Sequence, residues 1–184
     1  MHNMSLVQLF KDDIKQLKGT SQNSSALFLF FSKKNFRVVI LYRLLNYYKY
    51  NNKIIYYFLA PVNLYYRLMT NRYCIDLAIS TKIGGGFKLN HAYGIVINQR
   101  CIIGNNAYIG HNVTIGSNTP EKYPIIGNNV TVFTGSVIIG DIMIGNNVII
   151  GAGSLVIKNI PDNTIVGGHP CKVLKTTEDN FIED

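Results

Sequence analysis

A chain of 184 residues is long enough for one domain with an appendage and a buried core. Its net charge of +8 is unevenly placed, with 11 Lys/Arg against 2 Asp/Glu up to residue 75 and 7 against 8 from Asp76 onward. Three scattered cysteines show no metal-ligand spacing, no apolar run approaches the ~20 residues of a spanning helix, and the first turns carry Asp12 and Asp13 rather than an apolar signal core, so a cytoplasmic protein with reduced thiols is expected.

In chain order, residues 5–18 place Leu6, Leu9, Phe10, Ile14 and Leu17 at helical spacing, closed by Gly19. Residues 21–25 (Ser-Gln-Asn-Ser-Ser) read as a loop, and a short apolar piece runs from Ala26 to Phe31. A second helix is predicted from Phe36 to Tyr50, with Val39, Leu41, Leu44, Leu45 and Tyr48 inward, broken by Asn51-Asn52. A last helix follows, with a kink or boundary at Pro61. Its Ile54, Ile55, Phe58, Leu59, Val62, Tyr65, Tyr66 and Met69 make an apolar face too wide for a lone surface helix.

That face needs a partner, and three fit. One is the rest of the fold or a sister subunit. Another is the anionic inner face of a membrane, reached through Lys33, Lys34, Arg37, Arg43, Lys49, Lys53, Arg67, Arg72 and the interleaved tyrosines. Nucleic acid is the third, and is not expected, because no RNP, KH or helix-turn-helix pattern accompanies the charge.

From Ile97 the pattern changes. A branched aliphatic returns every sixth residue at Ile97, Ile103, Ile109 and Ile115, then at Ile126, Val132, Ile138, Ile144, Ile150 and Val156. Four positions after most of these sits a small or apolar residue: Cys101, Ala107, Val113, Val130, Ser136, Ile142, Val148 and Ser154. A period of six suits neither a helix nor ordinary strand pairing. It suits short strands separated by turns and stacked as a parallel β-helix, each coil burying its aliphatics against its neighbours. Leu77, Ile83 and Leu89 keep the count, which therefore begins near Asp76. It slips by two between Leu89 and Ile97, around His91, and by five between Ile115 and Ile126, where residues 117–124 must leave the wall as a loop. Pro161-Asp162-Asn163 makes a turn, Thr164 to Leu174 caps the stack, and the acidic end from Glu178 is loose. The organisation is thus 1–73 α-helical, 74–174 β-helix and 175–184 tail.

Several stretches carry a family likeness: Ile75-Asp76, Ile83-Gly84, Leu89-Asn90-His91-Ala92-Tyr93-Gly94-Ile95-Val96, Ile150-Gly151-Ala152-Gly153-Ser154 and Gly168-His169-Pro170-Cys171-Lys172-Val173. Over roughly residues 75–174 the chain resembles the hexapeptide-repeat acyltransferases, in particular their serine acetyltransferase-like members. The resemblance implies a mainly β fold, a left-handed, three-sided parallel β-helix preceded by a small helical region. It also implies acetyl-CoA as acyl donor, no metal, and a homotrimer, which could pair as a dimer of trimers, with the donor in the cleft between neighbouring β-helices.

Acyl transfer from a thioester to a hydroxyl needs a base, donors for the developing oxyanion and a slot for the carrier. By the resemblance His91 is the base and Asp76 the carboxylate that fixes its tautomer. Fifteen residues, close to one coil, separate them. Each has a plainer reading, Asp76 as a cap of the first turn and His91 as a corner filler. His111 is the alternative base, or lines the acceptor or thioester pocket, or merely fills a corner. His2 lies near the terminus, and His169 is read as structural. Gly116, Ser117, Thr134, Gly135, Ala152 and Gly153 leave a shallow groove that suits a pantetheine arm, with backbone N–H groups near Gly116-Ser117 as oxyanion donors. By resemblance these residues and the Pro170-Cys171-Lys172 turn contact CoA, and Lys172 with Lys158 meets its phosphates.

The acceptor-reading positions depart from the serine-specific pattern. Asn90 stands where that pattern has Asp, and Lys122-Tyr123-Pro124 where it has Arg-His-Pro. Asn90, His111 and Tyr123 suit a neutral sugar better than an amino acid, so the expected acceptor is a sugar hydroxyl in surface-polysaccharide or glycan synthesis. Serine O-acetylation on the cysteine pathway is the second reading, and a non-catalytic assembly scaffold the third. The chain ends Ile182-Glu183-Asp184 without the isoleucine-ended tail of serine acetyltransferases, so no cysteine synthase complex is expected.

Overall fold

The computed structural model describes residues 4–18, 30–117 and 119–176. The loop at 21–25, His2, Gly19 and the acidic end from Glu178 lie outside these residues, as does most of the piece from Ala26 to Phe31.

Helices α1 (Leu6–Lys18), α2 (Lys34–Asn51), α3 (Lys53–Phe58) and α4 (Ala60–Arg72) precede the strands among the described residues. Asn52 ends α2 and caps α3, its side chain accepting from the Ile55 N–H at 3.1 Å. Pro61 sits in the first turn of α4, where a missing N–H goes unused, so it marks a boundary rather than a kink.

The β-helix has three faces. The first stacks β1 (Asp76–Leu77), β4 (Val96–Ile97), β7 (Thr114–Gly116), β10 (Val137–Ile139) and β13 (Leu155–Val156). The second stacks β2 (Lys82–Ile83), β5 (Ile102–Ile103), β8 (Ile125–Ile126) and β11 (Met143–Ile144), and is extended by a bridge from Ile144 to Ile160. The third stacks β3 (Lys88–Leu89), β6 (Tyr108–Ile109), β9 (Thr131–Val132), β12 (Ile149–Ile150) and β14 (Thr164–Gly167). All these pairs are parallel, and β15 (Lys172–Thr176) then closes the third face antiparallel to β14.

Pairing registers show where the count of six breaks. Asp76 pairs with Val96, Val96 with Thr114, Thr114 with Val137 and Val137 with Leu155. The regular coil is eighteen residues, the first carries two extra at 90–95, and the third carries five extra at 117–124. Both surpluses sit at corners, where they leave the ladders intact.

The aliphatics of the six-residue count point inward, and those from Ile97 to Val156 are at most 1% exposed. Ser136 and Ser154 share this interior, and both hydroxyls donate to the Gly151 carbonyl, at 2.9 and 2.6 Å. At the corner between the second and third faces Gly84, Gly104, Gly127 and Gly145 stack. A Cβ on any of them would meet the next coil's backbone within 2.5–2.8 Å, so the coils' close approach demands glycine there.

Beside them run two asparagine columns. Asn106, Asn129, Asn147 and Asn163 are all left-handed, with φ of 55–57°, and each amide donates to the next at 2.8–2.9 Å. Asn105, Asn128 and Asn146 form the second column, which ends on the Asp162 carboxylate.

The first coil has no coil beneath it, and helix side chains take the place of one. Tyr42 donates to the Thr81 carbonyl, Asn46 to Ile79 at 2.6 Å and Tyr66 to Leu77 at 2.7 Å. Arg43 donates to the Ile83 carbonyl at 2.6 Å and to Gly84, while Asp13 and Asn35 accept from the N–H groups of Phe87 and Ala92. Arg43 also forms an ion pair with Asp13 at 2.9 Å, and both side chains are at most 2% exposed. Counting Arg43 among the surface cations is therefore wrong, since its charge is consumed inside the fold. Burial pushes the Asp13 carboxyl upward, while Arg43 and the Phe87 N–H pull it back.

Candidate active site

His91 and the small-residue groove share one corner, between the third and first faces. The two extra residues of the first coil let the chain turn there with His91 at φ 49° and Gly94 at φ 63°. Ala92 and Ile95 go into the core while His91 stays exposed. Asp76 begins the first strand beyond the same corner, one coil earlier, with its side chain exposed and its N–H bonded to the Ile95 carbonyl at 2.7 Å. Asn90, half-buried beside His91, is held by its own N–H to the Ile109 carbonyl at 2.8 Å.

On the next coil lies His111, its ring edge-on to His91 with centroids 6.1 Å apart and planes at 86°. The His111 carbonyl accepts from the Gly135 N–H at 3.0 Å and from the Thr134 hydroxyl at 2.9 Å, and the Thr134 carbonyl accepts from the Gly153 N–H at 2.9 Å. Thus His91, His111, Thr134–Gly135 and Ala152–Gly153 climb one corner in successive coils, with Lys172 exposed just past its upper end. Among the described residues no hydrogen bond engages the Asp76 carboxylate or either imidazole, so all three are available to bound molecules.

Gly116, Ser117, Tyr123 and Lys158 are elsewhere. They occupy the corner between the first and second faces, roughly 15 Å away along the strands at 3.3 Å per residue. There Tyr123 is half-buried under the Arg100 guanidinium, 5.5 Å from its ring, and Lys122 is paired with Asp141 at 2.8 Å. A Cβ at Gly116 would meet nothing within 4 Å and its φ is not left-handed, so neither backbone nor packing explains that glycine. Asn35 was missed in the sequence. Its side chain accepts the Ala92 N–H at 3.2 Å, fixing the backbone that carries His91, and no local pattern marks it.

The described architecture matches known proteins. A family profile, "Bacterial transferase hexapeptide (six repeats)", matches residues 123–158. A serine acetyltransferase of Buchnera aphidicola is 36% identical over 107 residues, which are 56% of this chain and 41% of that enzyme. A serine acetyltransferase structure from Neisseria gonorrhoeae, in complex with serine, superposes with TM-score 0.74 and 27% identity over 92% of this chain and 69% of that one. Another, a serine acetyltransferase in complex with CoA, gives TM-score 0.73 and 25% identity over 94% of this chain and 71% of that one. Superposition at this level also fixes the hand of the solenoid as left.

The chain carries the repeats of the bacterial hexapeptide transferases at residues 123–158 and shares the β-helix fold of serine acetyltransferases, so it resembles that family of acyltransferases. The relatives it resembles within that family are serine acetyltransferases, and the chain spans about two fifths of the Buchnera enzyme. They overturn the expectation of a sugar acceptor and of a role in polysaccharide synthesis. The physical reason is visible in the corners. Tyr123 and Lys122 are engaged by Arg100 and Asp141 rather than offered to a sugar, and the Asn90 amide oxygen can accept from an ammonium as a carboxylate does, with less strength. Nothing in these relatives excludes a cysteine synthase complex.

Proposed function

We propose that this protein transfers the acetyl group of acetyl-CoA to the hydroxyl of serine, with His91 as base and Asp76 as its orienting carboxylate. One observation carries the reading: the exposed His91 shares a corner with Asp76 and stands at the foot of a column of small residues that climbs the next coils. His91 takes the serine hydroxyl proton as that oxygen attacks the thioester carbonyl. Asp76, whose carboxylate is unengaged in this structure, closes on the imidazole when substrates bind, selects the tautomer that accepts, and stabilises the imidazolium that forms. Collapse of the tetrahedral intermediate breaks the C–S bond, and the departing thiolate recovers the proton from His91. Asn90 and His111 flank the serine.

The split between corners supports a homotrimer. Gly116, Ser117, Tyr123 and Lys158 reach His91 only if a neighbouring copy sets its first–second corner beside this chain's third–first corner, which a three-fold assembly does at each of its clefts. Gly116 and Ser117 of one copy then supply N–H groups to the oxyanion, while Thr134, Gly135, Ala152, Gly153, Lys158 and Lys172 line the cleft for CoA.

Thiol release from acetyl-CoA with L-serine tests both parts. His91→Ala lowers turnover by about 10²–10⁴-fold, and unchanged turnover in that variant removes the mechanism. Mixing inactive His91→Ala with inactive Gly116→Val, after dissociation and reassembly, restores about a quarter of the wild-type rate if each site is shared between copies. No restoration in mixed trimers places the whole site within one chain.

A further inference from the structure

The helices α3 and α4 present a stripe that the fold leaves uncovered. Ile54, Tyr57, Phe58, Leu64 and Leu68 recur at helical spacing and are 60–80% exposed, while Tyr66, Met69 and Thr70 on the opposite side are buried. Lys53, Arg67 and Arg72 flank the stripe, all exposed. Between Asp13 and Asp76 the chain holds ten Lys/Arg and no carboxylate side chain at all. Of those ten, Arg43 is neutralised inside the fold by Asp13.

A cleft opens beside the stripe, sharing Leu68 with it and lined also by Tyr65 and by the flanking Arg72. Arg37 lines the cleft too, and its Nε–H is buried with no hydrogen-bond partner among the described residues. Tyr73 forms another wall, with the Lys34 ammonium 4.6 Å from its ring centroid. An unpaired, desolvated guanidinium N–H beside two further cations is a seat for an anionic oxygen.

We propose that α3 and α4 lie on an anionic lipid bilayer, with the stripe at the acyl boundary and a headgroup phosphate in the cleft between Arg37 and Arg72. No described helix is long and apolar enough to cross a membrane, so the contact is interfacial. A second copy is the weaker occupant. A two-fold contact would set this face against itself, cation against cation, with no carboxylate between residues 14 and 75 to neutralise it. The inference does not depend on the acyl transfer.

Vesicle flotation of the full chain tests it. The protein floats with vesicles containing phosphatidylglycerol, stays behind with pure phosphatidylcholine, and is released from the former by high salt. Arg37→Gln with Arg72→Gln weakens partition by about thirty-fold, Arg72→Lys largely retains it, and Leu64→Asp with Leu68→Asp abolishes it. Thermal unfolding of each variant confirms that the fold is kept. Equal binding to neutral vesicles, or none to anionic ones, overturns the proposal. So does a wild type that fails to float while Leu64→Asp/Leu68→Asp halves its sedimenting mass, which assigns the face to a second copy.

Discussion

His91 owes its place to a backbone conformation that few residues tolerate. A φ of 49° is uncommon outside glycine and is less so for histidine than for branched residues. Asn35 pins this turn from outside the β-helix. Replacing it with leucine is expected to lower the catalytic turnover number about ten-fold through misplacement of the imidazole, with the KM for acetyl-CoA unchanged. Asn35→Asp, which keeps the acceptor, restores the rate. Steady-state kinetics on the three proteins separates positioning from folding, since a merely structural loss lowers active protein and does not respond to the acceptor. Gly116 gives the complementary case. Gly116→Ala is expected to change stability by no more than about 0.5 kcal/mol, because the new methyl enters open space, yet to raise the KM for acetyl-CoA. The two register slips were legible because each interrupts a strict count, and His91 falls in the first of them, whereas Asp76 stood out only through the family resemblance. Asn35 was not, for its partner lies 57 residues away and its neighbours show no pattern.

At the scale of elements, the strands are only two to five residues long, so the turns between them carry much of the specificity. The central asparagine column shows how. Asn129 accepts from Asn106, donates to Asn147 and holds a left-handed backbone. Asn129→Ala forfeits both bonds and strains the turn, with an expected loss of about 1–3 kcal/mol in a denaturant titration. Asn129→Gly loses the bonds without the strain and is milder. At the other column's end the Asn146 N–H and amide hold the Asp162 carboxyl below its ordinary value. This contribution is full above the ordinary carboxylate range and lost as pH falls through the lowered value. Asp162→Asn should therefore flatten the acid limb of the stability profile. Six-residue periodicity revealed the coils because inward side chains must repeat. The asparagine ladders were not legible, since hydrogen bonding between successive coils leaves no mark on hydropathy. The helices were placed correctly in outline, but the apolar count on α3 and α4 could not tell Tyr66 and Met69, which are buried, from Phe58 and Tyr65, which are exposed.

For the whole molecule, helices and solenoid are expected to unfold as one cooperative unit. The Asp13–Arg43 pair joins α1 and α2 to the first coil, and truncating either partner strands a buried charge. Asp13→Ala or Arg43→Ala is expected to destabilise the fold by about 3–5 kcal/mol, with helical and β signals lost together on heating. Two independent transitions would show that the helices are an accessory. The net charges of the two halves were plain from composition. That one arginine of the basic half serves as an internal plug was not, because burial of a cation depends on an aspartate thirty residues away. The same plug has a mirror at the far end, where β15 runs against the grain of every other ladder. A solenoid whose terminal rungs both offered parallel edges could accept another molecule at either end and grow into a filament. Here helix side chains occupy one terminus and a reversed strand covers the third face at the other, so that face ends without the parallel edge on which a further rung would grow.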